Sequence, residues 1–179
     1  EDGGFIELLK SDTRPSQSSY DEAIQSTEIP DWCGQELSPF WKHYIGLELE
    51  PNQSAMENLS GPYWFFFEDY EGGELILILL NADGTYEEGH SYFSEEECEE
   101  YEEYGLYWSE EYDICIGEGE DWSADENMMH SFGAEYRFDI QNNVLRIVPP
   151  VHEDEYSGGP EEQPVLVWGC CNEYNGRNE

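Results

Sequence analysis

What this sequence lacks is positive charge. Its 179 residues include only 6 Lys and Arg against 43 Asp and Glu, and the formal net charge is -37. Between Lys42 and Arg137 there is no Lys or Arg, and that stretch of 94 residues carries 26 carboxylates. Direct binding to nucleic acid is excluded by this balance, since a phosphate backbone would be repelled. An anionic leaflet is repelled in the same way unless calcium bridges the two surfaces. Long apolar runs are missing as well. The longest, residues 75–80, is strand-sized and far short of the ~20 residues that span a bilayer. The expectation is no membrane insertion.

Motifs that carry chemistry are also lacking. There is no Cys-x-x-Cys pair, so the cysteine spacing matches no zinc pattern. No Gly-x-Ser-x-Gly, His-Glu-x-x-His, phosphate-binding loop or dinucleotide fingerprint occurs. Glycosidases use two carboxylates at a defined separation, but with 43 acids such a pair can be drawn anywhere. The histidines, His43, His90, His130 and His152, are scattered. His43 reads as a core-edge residue, and His90 with Glu88 as a surface pair on one strand face. No catalytic residue emerges. The expectation is a non-enzymatic protein that requires no cofactor.

What the chain does have is aromatic residues: 13 Tyr, 8 Phe and 6 Trp. High net charge with low hydrophobicity favours disorder, but disordered chains are poor in aromatics. A folded core beneath a charged shell fits both facts. The length suits one domain. The boundaries expected are a loose arm over residues 1–16, one β-rich domain over 17–171 and a frayed tail over 172–179.

Patterning supplies the elements. A short helix is expected within residues 19–26, capped by Ser18 or Ser19. Ser38 before Pro39, with Gly46 closing the run 40–45, marks a two-turn helix. A loop over 48–60 follows. Strands at 63–70, 74–80 and 85–93, separated by Gly72-Gly73 and by Asn81-Ala82-Asp83-Gly84, make an antiparallel meander. Ser94-Glu95-Glu96-Glu97 has the capping-box pattern and starts a helix with Cys98, Tyr101 and Tyr104 on one side. Further strands are expected at 107–108 and 112–116, then an acidic loop at 117–127. A hairpin pairs 135–140 with 144–148 across Gln141-Asn142-Asn143. A loop at 149–164 and a strand at 165–170 complete the chain. The fold class is mainly β: an antiparallel meander closing into a barrel or strongly curved sheet, with two or three short helices.

Gly61-Pro62-Tyr63-Trp64, at the start of the meander, resembles the Gly-x-Trp signature of the lipocalin and calycin families, with one residue more between Gly and Trp. Arg146 stands where that family has a late arginine. The resemblance covers residues 61–170 in outline. It implies a cup-shaped cavity for a small apolar ligand, with Trp64, Phe66 and Trp108 as candidate lining residues.

The five cysteines are Cys33, Cys98, Cys115, Cys170 and Cys171. One or two disulfides with a thiol left over, or buried free thiols, both fit. Cys170 and Cys171 are expected to point to opposite faces of a strand. Asn52-Gln53-Ser54 and Asn58-Leu59-Ser60 are glycosylation sequons. With a first residue that is not Met, these features fit a secreted or lumenal protein after removal of a targeting segment.

Two acidic segments are candidate sites. Glu118, Glu120, Asp121 and Asp125 place oxygen ligands at alternating positions, which suits calcium, a hard cation. Read as an EF-hand from Asp121 the segment fails, with Glu126 at the glycine position and Phe132 at the terminal glutamate position. A solvated acidic loop accounts for the same residues. The second segment holds Glu95, Glu96, Glu97, Glu99, Glu100, Glu102 and Glu103. A solvating face explains it, as does docking to a basic protein, where complementary fields speed association. So does mimicry of DNA, which presents one charge per ~1.7 Å of axis. The reading adopted is a binding or accessory module for a basic protein partner, a subunit of a larger assembly. A lipocalin-like carrier and a DNA-mimic inhibitor are the alternatives.

Overall fold

The computed structural model describes residues 5–38, 50–69, 72–131, 134–152 and 166–169. In chain order the strands are β1 (Ile6–Lys10), β2 (Gly61–Asp69), β3 (Gly72–Leu80), β4 (Thr85–His90), β5 (Tyr107–Ser109), β6 (Ile114–Asp121), β7 (Ser123–Ala124), β8 (Met128–Ser131), β9 (Ala134–Gln141), β10 (Val144–Val148), β11 (Pro150–His152) and β12 (Leu166–Trp168). The first ten form one antiparallel sheet in the order β5-β6-β4-β3-β2-β1-β10-β9-β8-β7, and β11 pairs with β12. The meander read from the sequence is its centre, except that Gly72 and Gly73, expected to form its first turn, belong to β3 and pair with Asp69 and Glu68. β2 and β3 pair from Gly61 opposite Leu80 to Asp69 opposite Gly72, and β4 continues the ladder on β3.

One residue reveals the curvature. β6 lies second from one edge of the order and β7 is the opposite edge, yet only Trp122 separates them in the chain. The Cα atoms on either side of one residue are at most about 7 Å apart. The sheet must therefore curl until its two ends meet at Trp122. Its indole Nε1 donates to the carbonyls of Asn81 (2.9 Å) and Thr85 (3.1 Å), and its backbone N–H donates to the Gly84 carbonyl. Gly84 has φ +94°, and a Cβ there would lie 3.3 Å from the Trp122 carbonyl oxygen. The ladder itself stays open, so the architecture is the strongly curved sheet, not a closed barrel.

The curl encloses the main core. Leu8, Tyr63, Ile76, Ile78, Leu80, Tyr86, Trp122, Met129, Leu145 and Ile147 pack in one cluster, although their strands lie far apart in the ladder. Helix α1 (Gln17–Gln25) lies near β1, helix α2 (Gln53–Leu59) adds Met56 and Leu59 to that cluster, and helix α3 (Glu95–Glu100) follows the meander. Successive strand residues point to opposite faces. Trp64, Leu75, Leu77, Ile114 and Ile116 accordingly form a second cluster on the other face. Each fully buried side chain of this size stabilises by ~1.5–3 kcal/mol. Gly89 sits within that second layer: a Cβ there would lie 3.2 Å from Leu77 Cβ and from Ile114 Cγ2. A third cluster joins Leu37, Met128, Val148 and Trp168.

Several expectations are corrected. Residues 6–10, expected within a loose arm, form β1 in mid-sheet, bonded to β10 and β2. Their charges find partners there: Glu7 takes Arg146, and Lys10 Nζ donates to the Ser60 carbonyl at 2.6 Å. Residues 53–59, expected in a loop, form α2, whose N-terminus is capped by the Asn52 side chain accepting from Ala55 N–H. The expected acidic loop at 117–127 is largely strand, because β6 runs on to Asp121 along β4 and β7 begins at Ser123. The expected loop at 149–164 contains β11. The cap of α1 is Ser16, and the third strand of the meander stops at His90. The helix expected at 40–45, with His43, lies outside the described residues, as do Cys170, Cys171 and residues 172–179.

Candidate docking surface

The capping box predicted at Ser94 is complete. The Ser94 side chain accepts from Glu97 N–H, and the Glu97 carboxylate accepts from Ser94 N–H at 2.9 Å. These bonds from the Ser94 backbone and hydroxyl hold the Glu97 carboxyl below its ordinary range. α3 is then fixed to the sheet by the Cys98–Cys115 disulfide, which joins its one buried residue to β6. Cys33 is disulfide-bonded too. A 3₁₀ turn at Glu102–Tyr104 follows, ended by Gly105 at φ 88°.

All seven glutamates of the segment, Glu95, Glu96, Glu97, Glu99, Glu100, Glu102 and Glu103, are exposed. Among the described residues, none of them pairs with a Lys or Arg. The described cations are used elsewhere. Lys10 reaches Ser60, Arg14 donates to the Asp113 carbonyl at 2.9 Å, and Arg137 lies over the Trp32 ring at 4.0 Å. Arg146, buried, reaches Glu7 at 2.7 Å and the Glu28 carbonyl at 2.8 Å.

Interleaved with these carboxylates runs a row of aromatic rings that sequence reasoning did not assemble. Centroid separations are 5.4 Å from His90 to Tyr92, 4.2 Å to Phe93, 5.8 Å to Tyr101 and 6.1 Å to Tyr104. Tyr92, Tyr101 and Tyr104 are 61%, 45% and 72% exposed. The helical spacing of Tyr101 and Tyr104 was legible. That Tyr92 and Phe93 continue the row depends on how the turn after β4 meets α3.

His90 anchors the inner end. Its Nε2 lies 2.8 Å from Glu88 and its Nδ1 2.6 Å from Glu74. The hydrogen bond to Glu88, with that to Glu74 against partial burial, raises its pKa. The pair with Glu88 was expected. Glu74 was missed, because β3 brings it in from 16 residues away, and the signal lay in the register set by the turn at Asn81–Gly84. Nearby, Tyr107 donates to Glu87 at 2.8 Å, and burial with that contact pushes its hydroxyl up to about 12.

The other candidates are placed as follows. Glu118, Glu120 and Asp121 are exposed on β6. Asp125 Oδ1 accepts from Asn127 N–H and Met128 N–H, at 2.7 and 2.8 Å. Among the described residues no group of three or more His, Cys, Asp or Glu is placed to hold a metal ion. Trp64 and Phe66, candidate cavity residues, belong to the cluster on the face of β2 away from the core the curl encloses. Trp64 Nε1 donates to the Ser11 carbonyl at 2.9 Å, and Phe66 meets Tyr20 edge-on. Trp108, on β5 opposite Cys115, is half-buried. The chain matches no family model, no curated protein and no solved structure.

Proposed function

We propose that this chain is a non-enzymatic docking module for a basic protein partner, and a subunit of a larger assembly. One observation carries the reading: seven exposed glutamates without a described cationic partner share their segment with exposed aromatic rings, on and directly beside a helix tied to the sheet by a disulfide. A field of one sign steers an oppositely charged partner and raises the rate of encounter. A tethered segment loses little freedom on binding. The rings supply contact area that charge alone does not. The disulfide supports an oxidising compartment as the place of action.

The test is binding of a basic peptide, followed by fluorescence anisotropy at low and at physiological salt. Binding is expected at low salt and should weaken as salt rises. Replacing Glu99, Glu100, Glu102 and Glu103 together by Gln should weaken it about tenfold. A variant that binds as tightly as the parent would sink the reading.

A further inference from the structure

We infer that the docking element of the partner is an arginine-rich segment, whose guanidinium groups lie over the Tyr92, Phe93, Tyr101 and Tyr104 rings and pair with the glutamates beside them. This rests on the docking reading above and specifies its chemistry. Three exposed tyrosines in a row of rings spaced 4.2–6.1 Å apart call for a ligand that can use both flat faces and negative charge. An apolar partner would bury carboxylates with no counter-charge, which is strongly unfavourable. A neutral sugar would stack on the rings and leave the carboxylates unused. A lysine ammonium is a compact, strongly hydrated point charge, whereas guanidinium is planar, weakly hydrated, stacks on aromatic faces and binds carboxylates in bidentate fashion.

The chain already uses this chemistry internally. Arg137 lies 4.0 Å from the Trp32 ring and 5.5 Å from Trp168, and Arg146 lies 5.3 Å from Phe5. Among the described residues no Arg lies over the docking row, and the proposed partner segment supplies one. The sequence order is suited to it at one end of the row: Glu99 and Glu100 precede Tyr101, and Glu102 and Glu103 lie between Tyr101 and Tyr104.

The experiment compares labelled octa-arginine and octa-lysine peptides, equal in length and charge, on the full chain at low salt. Octa-arginine should bind about fivefold tighter or more, the range of one or two exposed cation–π contacts. In the double variant Tyr101→Leu/Tyr104→Leu the arginine-to-lysine ratio should fall at least about threefold, while binding still weakens with salt. Both residues are exposed, and far-UV circular dichroism checks that the variant is folded. Should it not fold, Tyr92→Leu, in the turn before α3, gives the same comparison. Equal affinity for the two peptides, or a ratio unchanged in the variants, overturns the arginine assignment and leaves the docking reading standing. Binding of neither peptide at low salt overturns both.

Discussion

His90 shows how a single side chain can be right in the sequence and incomplete. Both of its ring nitrogens lie on carboxylates. A neutral imidazole has one N–H donor, so only the protonated ring can donate to Glu74 and Glu88 together. Its folded pKa is accordingly raised, chiefly by Glu88. A raised pKa means that the contribution to stability is fully present below the unfolded value of about 6.5 and is lost as pH rises through the folded value. The urea midpoint of the parent should therefore fall as pH increases above that value, and His90→Gln should remove this part of the slope. An identical slope in the variant would show that His90 is not the group responsible. The same scale explains why β1 was misread. Glu7 and Lys10 look like surface residues of an arm until Arg146, on the neighbouring strand, and Ser60 are seen to take them.

Helix α3 shows what is legible in an element and what is not. Its start was legible because a capping box is a local pattern: Ser94 and Glu97 need only each other. The hairpin at Asn142-Asn143 was legible for a similar reason. Both residues have positive φ, which short polar side chains tolerate. The second half of β6 was not, because Glu118 to Asp121 keep their side chains in water while the backbone pairs with β4. A polar face hides a strand whose hydrogen bonds are made to a distant segment. The disulfide of α3 was likewise undetermined, since five cysteines allow many pairings. Cys98 and Cys115 are 17 residues apart, and closing a loop near that length stabilises by about 3 kcal/mol in the chain-entropy account. The variant Cys98→Ala/Cys115→Ala should lose stability of that order in urea titrations. It should also bind the basic peptide more weakly, since α3 is no longer held to β6. Unchanged affinity would mean that the tether does not organise the surface.

Over the whole molecule the governing quantity is the acid surplus. At a net charge of -37, self-repulsion opposes the folded state. Screening with a Debye length of ~8 Å at physiological ionic strength relieves much of it. The melting temperature should rise with NaCl up to a few hundred millimolar in differential scanning fluorimetry. A flat curve would show that the carboxylates are already neutralised. The described cations are engaged within the fold, and among the described residues none of them pairs with the glutamates of the α3 segment. On that segment the surplus meets exposed rings, and there it becomes a surface of stated chemistry.

By itself the sequence determined the sign of the surface, the aromatic content of the core, the three strands of the central meander with the turn at Asn81–Gly84, and the cap of α3. Each of these depends on composition or on residues a few positions apart. Only the tertiary structure decided that β1 lies in mid-sheet, that the sheet curls until β6 and β7 meet at Trp122, and that Glu74 joins Glu88 on His90. It also decided that Tyr92 and Phe93 continue into Tyr101 and Tyr104 as one row. These are contacts between segments far apart in the chain. Their local signals are weak, and their stability comes from burial and pairing that exist only after the sheet has curled around its core.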